Sequence, residues 1–345
     1  MRALALTGVG GLDELAVVDV PVPQIERPDQ VRIRIRAGAL NRIDLFVTGG
    51  LPGMKNQFPH IVGSDGAGDV ESVGSAVASV HPGDRVFINP GISCEHCERC
   101  IAGEHQLCDT FQVMGEHRSG TLAEYVVVPE ANVALVPERM DWPSAAAFPL
   151  ATLTAWRMLI TRAALRPGER VLIWGIGGGV AQASLQVAKL AGASVIVTSS
   201  SDSKLEVARR LGADVTVNHA TGDPVAEVRS VLGRRGADVI IDSVGEKTWP
   251  MSLRLLRRGG RMVVCGATTG PMVSLDARKL FWHQWSILGS TMGSHREFAE
   301  IVSLAARGKL WPVVDQVVPL ERGVDAYARM ARGEQTGKLV IEVSP

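Results

Sequence analysis

The sequence predicts an α/β protein of two domains, a β-rich, irregular N-terminal domain followed by a doubly wound parallel sheet. Two differences in texture carry that expectation. From Met1 to about Pro149, short β-like runs are broken repeatedly by Gly and Pro. From about Leu150 to Gly293, continuously apolar runs alternate with helical stretches, the pattern of strands buried on both faces between crossover helices. The length of 345 residues agrees with two domains at roughly 100–200 residues each. The expected organisation is therefore residues 1–149, residues 150–293, and a tail over 294–345 that packs on either domain.

Each element has its own local reason. Val31-Arg32-Ile33-Arg34-Ile35-Arg36 alternates apolar and basic residues, as a half-buried strand does. Arg85-Val86-Phe87-Ile88 and Glu124-Tyr125-Val126-Val127-Val128 also read as strands. In the second domain Val171-Leu172-Ile173-Trp174 runs into a glycine cluster, and a helix follows over Gly179 to Ala191. Next come a strand over Ser194–Thr198, a helix over Ser203–Leu211, and a strand over Asp214–Val217. Ala237–Asp242 is a strand, a helix lies near Trp249–Leu256, and Gly260–Gly266 is again a strand. The tail reads as a helix after Ser294, a strand at Gln316–Leu320, a helix at Val324–Ala331 and a closing strand at Lys338–Val343.

Composition narrows the function. Hydrophobic residues make up 46 % and charged residues 21 %, ordinary values for a chain with a sizeable core. Lys plus Arg and Asp plus Glu both number 36, and this neutral balance argues against a duplex nucleic-acid partner. No apolar run reaches the ~18 residues of a membrane helix. Asp13 and Glu14 come too early for a secretory signal, so the expected location is the cytoplasm.

The segment Trp174-Gly175-Ile176-Gly177-Gly178-Gly179-Val180-Ala181 lies where a strand ends and a helix begins. Absent side chains let backbone approach a pyrophosphate, and the helix N-terminus offers N–H groups and partial positive charge. Val180 breaks a GxGxxG reading, whereas GxxGxxA through Gly175, Gly178 and Ala181 fits. After the second strand, where an NAD site usually carries an acid for the ribose 2′-OH, the chain has Ser199, Ser200 and Ser201, with Lys204 nearby. Hydroxyls and an ammonium suit a 2′-phosphate, so the expected cofactor is NADP(H) rather than NAD(H). Asp202, beyond the expected acidic position, keeps the alternative of an ordinary loop open.

Cys94, Cys97, Cys100 and Cys108 place four thiols in one short segment. Four thiolates match tetrahedral Zn²⁺, and a complete set leaves no position for substrate, so one structural zinc is expected, holding a lobe at about residues 90–110. His96 and His105 are surplus to that set, and Cys265 reads as a packed thiol at a strand end.

In chain order, Gly63-Ser64-Asp65-Gly66-Ala67-Gly68, Pro82-Gly83-Asp84-Arg85-Val86, the four-cysteine segment, Leu153-Thr154-Ala155-Trp156, the glycine loop and Gly337-Lys338-Leu339-Val340 resemble the medium-chain dehydrogenase/reductase superfamily. The resemblance covers essentially the whole chain. It implies a GroES-like catalytic domain, a Rossmann domain for the dinucleotide, and a tail that returns to the first domain. It also implies cofactor contacts at Thr154, Gly175, Gly178, Gly179, Val180, Ala181, Ser199, Ser200, Lys204, His219, Val244, Cys265, Gly266 and Lys338.

The departures from the zinc alcohol dehydrogenases of that superfamily are specific. Their catalytic-zinc positions are matched here by Asn41, Ser64, Asp65 and about Leu150, a poor set of zinc ligands, so no catalytic zinc is expected. Asn41-Arg42-Ile43-Asp44 and Gly63-Ser64-Asp65 are instead similar to motifs of the quinone oxidoreductase branch, which uses NADPH and no catalytic metal but generally lacks the cysteine lobe. The resemblance thus implies hydride transfer from NADPH to a quinone or conjugated enone. Asn41 would act as donor and Asp44 would orient Asn41 or a water, both beside the nicotinamide. Two alternatives stand beside it. One is an alcohol dehydrogenase with an atypical metal site, rebuilt for example from His60, Asp65 or His117; the other is a non-catalytic NADPH-binding sensor or RNA-binding crystallin-like protein. The expected partner is a small-molecule substrate. The expected assembly is a homodimer, or a tetramer, formed through an edge strand at Trp285–Ser290.

Overall fold

The computed structural model describes residues 1–50 and 57–344. The chain divides into two compact units, Met1–Leu153 with Met292–Pro345, and Thr154–Thr291.

In the first unit a seven-stranded sheet has the spatial order Val133–Leu135, Arg85–Ile88, Asp65–Val73, Gln30–Ala39, Lys338–Glu342, Val314–Pro319, and Tyr125–Pro129 also pairs with Gln30–Ala39. Alternation in the long strand works as its sequence requires: Val31, Ile33 and Ile35 are fully buried, while Arg34 is exposed and Arg32 and Arg36 are half-buried. Arg32 and Arg36 then pair across the sheet with Glu71 and Asp69. Register fixes what lies beside Asn41, the residue two beyond the end of this strand. Ala39 pairs with Asp65 on one side and with Val340 on the other, so the antiparallel continuation brings Asp65 and Lys338 to Asn41. A second, three-stranded sheet runs Leu15–Asp19, Arg2–Leu6, His60–Ile61, and a short pair joins Gly91–Ile92 to Gln112–Val113.

The second unit is a six-stranded parallel sheet. Its spatial order is Val215–Asn218, Ser194–Ser199, Arg170–Ile173, Ala237–Asp242, Leu256–Val264, Ser286–Gly289. Numbered within the unit this is 3-2-1-4-5-6, the doubly wound order with its switch point between the first and fourth strands. The continuous apolar runs explain it: Leu172, Ile196, Ile240 and Met262 are buried together under crossover helices. Helices at Gly179–Leu190, Asp202–Arg210 and Trp249–Leu255 lie within one residue of their expected bounds. Two further helices, Pro224–Leu232 and Ala277–His283, are not among the sequence expectations. Both begin after an aspartate whose side chain accepts from the first-turn backbone, Asp223 and Asp276, a signal present in the sequence.

Candidate active site

Asn41 precedes the helix Arg42–Gly49 in extended conformation. Its backbone N–H donates to the Asp44 carboxylate at 2.6 Å, so Asp44 is drawn back onto the helix start. The Asn41 amide donates to Asp65 Oδ2 at 2.9 Å and, at a long 3.4 Å, to the carbonyl of Ala39. Its carbonyl accepts from Lys338 Nζ at 2.5 Å, and Lys338 Nζ also donates to Asp65 Oδ2 at 2.8 Å. Asp65 Oδ1 accepts the backbone N–H of Leu150 at 2.8 Å. Ser64 Oγ donates to Asp44 Oδ1 at 3.3 Å. All these side chains except Leu150's, which takes part only through its backbone, are therefore joined in one network, and Asp65 and Lys338 are 0 % and 3 % exposed.

The register derived above explains this convergence, and burial gives it its electrostatics. Removing Asp44 from water raises its pKa to about 7, against the opposing pull of the Asn41 N–H and the Lys338 ammonium. His60 and His117 are engaged elsewhere: His60 Nε2 bonds the carbonyl of Gly115 at 2.9 Å, and His117 Nδ1 accepts from the N–H of Val113 at 3.2 Å. Among the described residues neither joins Asp65 in a cluster close enough to hold a metal.

The cysteine segment forms a separate centre in the same unit. The Sγ atoms of Cys94, Cys97, Cys100 and Cys108 all lie within 4.8 Å of one another, and none is in a disulfide. Cys100 Sγ is 3.5 Å from Cys97 Sγ and 3.9 Å from Cys94 Sγ. A tetrahedral zinc with Zn–S of about 2.3 Å requires S–S edges of about 3.8 Å, so the donor set fits that ion. Backbone N–H groups of Cys94 and Cys97 point at the sulfurs of Cys108 and Cys94, at 3.5 and 3.3 Å, which stabilises thiolate charge. Burial pushes the Cys100 thiol up to about 12. In Cys108 burial is opposed and outweighed by hydrogen bonds from Thr110 and Cys94, which bring it down to about 6. Bound there, zinc would hold the segment closed; it leaves no ligand position for a reacting molecule.

In the second unit the glycine loop follows the first strand of the sheet. Gly175 has φ +69, a conformation that favours glycine, and its N–H donates to Thr198 Oγ1 at 3.3 Å. Helix Gly179–Leu190 starts after Gly178 with no side-chain cap, and a Cβ built on Gly178 would meet nothing within 4 Å. The helix N-terminus therefore presents uncapped N–H groups beside open space, as a pyrophosphate requires. Val180 and Ala181 form its first turn, and Gln182, 2 % exposed, has both polar side-chain atoms without a partner. Orphaned polar groups beside the loop fit a ligand that brings hydrogen-bonding atoms of its own.

The remaining predicted positions of this unit lie around the same sheet. Ser199 ends the second strand, buried, with Oγ accepting from the N–H of Ser201 at 3.1 Å; Ser200 is exposed, and Lys204 lies in the first turn of its helix. His219 donates its backbone N–H to the carbonyl of Ser199 at 2.9 Å, and its buried Nδ1 has no partner. Burial lowers the pKa of this imidazole. Val244 follows the fourth strand, and Cys265 and Gly266 follow the fifth. Burial pushes the Cys265 thiol up to about 12, as for an inert packed thiol. Thr154 is buried in the helix Pro149–Trp156. Lys338 belongs to the first unit, where its ammonium is held by Asn41 and Asp65.

Sequence reasoning missed Asp242. Fully buried at the end of the fourth strand, its carboxylate accepts from the N–H groups of Val244 and Gly245 and from the hydroxyl of Thr248, at 2.7–2.9 Å, and so shapes the loop that carries Val244. An acid ending the apolar run Val239-Ile240-Ile241, three residues before Gly245, was the available signal.

Comparison with known proteins agrees with this geometry. Residues 27–138 match the alcohol dehydrogenase GroES-like domain, and residues 179–307 match the zinc-binding dehydrogenase family. An NAD-dependent alcohol dehydrogenase of Sulfurisphaera tokodaii is 31 % identical over 99 % of both chains. The human quinone oxidoreductase is 28 % identical over 99 % of this chain and 97 % of its own. A solved NAD-dependent alcohol dehydrogenase superimposes with TM-score 0.96 at 44 % identity, covering both chains completely. The chain belongs to the medium-chain dehydrogenase/reductase superfamily, with a GroES-like domain and a Rossmann domain. It is an NAD(P)-dependent oxidoreductase. Among the described residues no helix is long and apolar enough to cross a membrane.

Proposed function

We propose that the enzyme delivers hydride from NADPH to a conjugated enone or quinone, with a structural zinc on the four cysteines and no catalytic zinc. The observation that carries this reading is the Asn41–Asp65–Lys338 network. Of the four positions that match catalytic-zinc ligands only Asp65 is a strong donor, and both its oxygens are already bonded. The Lys338 ammonium supplies the positive charge that balances Asp65, so the site is electrostatically complete and a divalent ion there meets a like charge. This residue set does not fit a catalytic zinc.

Hydride addition to an enone or quinone places charge on an enolate or phenolate oxygen, which hydrogen-bond donors can stabilise without a Lewis acid. The bound dinucleotide supplies the hydride. In this reading Asn41, whose second amide N–H makes only the long bond to Ala39, turns that N–H toward the developing oxyanion. Asp44, protonated in a large fraction near neutrality, gives its proton to Ser64 Oγ as the Ser64 hydroxyl gives its own to the enolate, which reverses the bond Ser64 donates to Asp44 at rest; solvent then reprotonates Asp44.

Serines at 199–201 and Lys204 support NADPH, since no carboxylate occupies the usual ribose-binding position. A second reading, NADH, is favoured by relatives named NAD-dependent alcohol dehydrogenases. A homodimer formed through the edge strand Ser286–Gly289 is part of the same proposal. The test is turnover of NADPH and NADH with a panel of quinones and conjugated enones, alongside NADP⁺ and NAD⁺ with primary and secondary alcohols. Enone or quinone reduction with NADPH at least ~10-fold faster than with NADH is the expected result, about 1.4 kcal/mol of discrimination. Efficient alcohol oxidation without enone reduction would overturn the reading.

A further inference from the structure

Beside the four cysteines lies a second group of metal-ligating side chains that neither the zinc lobe nor the proposed reaction uses: Glu95, His105 and His295. Their ligand atoms lie within 4.8 Å of one another. Glu95 Oε1 is 3.0 Å from His295 Nε2, and Glu95 Oε2 is 3.6 Å from His105 Nε2. With Zn–N and Zn–O of about 2.0–2.2 Å, a tetrahedral ion requires edges of about 3.3–3.5 Å, close to both separations. The two imidazole rings are tilted by 57° to each other, with centroids 4.2 Å apart.

Two features resist explanation as simple packing. The His105 side chain is only 15 % exposed, yet its Nε2, the atom nearest the carboxylate, stands beyond good hydrogen-bond distance from Glu95. Glu95 itself sits at φ +65, in the left-handed region that a non-glycine residue rarely adopts. That backbone turn, with a 2.5 Å bond from Ser93 Oγ, brings the carboxylate to the edges of both rings, Oε1 toward His295 and Oε2 toward His105.

We propose that Glu95, His105 and His295 bind a second zinc ion, with its remaining position open to exchangeable solvent. Two imidazoles and one carboxylate form a ligand set that zinc accepts. Glu95 and His105 belong to the cysteine lobe, whereas His295 opens the helix His295–Ala306. The ion thus fastens the lobe to a helix 200 residues away in sequence, within one unit.

The experiment uses purified full-length protein that has been dialysed against a weak chelator and retains its cysteine-bound zinc, as judged by protected thiols. Zn²⁺ alone is titrated calorimetrically into wild type, His295→Ala and Glu95→Gln, and bound zinc is counted after desalting. Wild type is expected to take up one more zinc per chain than either variant. Loss of an outer-shell partner alone weakens metal binding by about 10–100-fold, so each variant should bind this zinc at least ~100-fold more weakly. Glu95→Gln keeps the decision open if His295→Ala does not fold. Cobalt gives an independent readout: a second equivalent should add weak visible bands without further thiolate-to-metal charge transfer. Equal uptake and affinity in wild type and both variants, no second zinc in wild type, or growth of thiolate charge transfer with the second equivalent would each overturn the proposal.

Discussion

The cysteine lobe and the Asp65 network, both in the first unit, are each built for positive charge, and they solve the problem differently. The cysteine lobe gathers four thiols whose closest spacing matches a zinc tetrahedron. At Asn41, Ser64, Asp65 and Leu150 the positive charge is covalent, the ammonium of Lys338 on Asp65. Four thiolates forced together repel one another unless an ion neutralises them, so the lobe depends on metal. A single carboxylate holding a lysine, an amide and a backbone N–H has no such need. The difference teaches that within one fold the donor set at each position decides what positive charge it can hold.

That contrast can be broken at either end. Replacing Cys100 by Ala should have the largest effect: loss of tightly bound zinc, measured by elemental analysis, and proteolysis within residues 94–108. Structural zinc sites contribute on the order of 10 kcal/mol to the folding of small domains. Next comes Lys338→Ala, which strands a buried carboxylate. A loss of about 3–5 kcal/mol in denaturant unfolding is expected, with part of it recovered when Asp65→Asn is added.

A smaller effect concerns Asp44, whose folded pKa of about 7 lies above its ordinary value of 3.8. The folded state then binds more protons than the unfolded one across this interval, so this group's contribution to stability is complete at acid pH and is lost as pH rises through 7. Asp44→Asn should flatten that part of the stability profile. It should also remove the fall in kcat above pH 7 that a proton-donating Asp44 imposes. The smallest effect expected is at the cofactor: Ser199→Asp should raise KM for NADPH about tenfold, equivalent to about 1.4 kcal/mol, and lower it for NADH.

Features encoded by neighbouring residues were legible in the sequence. Apolar runs and the glycine loop located the parallel sheet and its first crossover, and cysteine spacing located the lobe, because each pattern fits within a few turns of chain. Two helices escaped although each follows an aspartate cap, at Asp223 and Asp276, and the first buries Val225, Val228 and Leu232 at helical spacing. Long-range pairings were the least legible. Lys338 reads by resemblance as a cofactor contact, while sheet register delivers it to Asp65, 273 residues away. Glu95 and His295 are likewise brought together only by the tertiary fold.

The most direct test of the contrast is to assay conjugated-enone reduction by NADPH, and oxidation of a secondary alcohol by NADP⁺, before and after incubation with a chelator that leaves the cysteine-bound zinc in place. Enone reduction unchanged by the chelator, with alcohol oxidation negligible throughout, is the predicted result. Alcohol oxidation that is abolished by the chelator and restored by added zinc would contradict the account, because it would require a catalytic metal at a site already completed by Lys338.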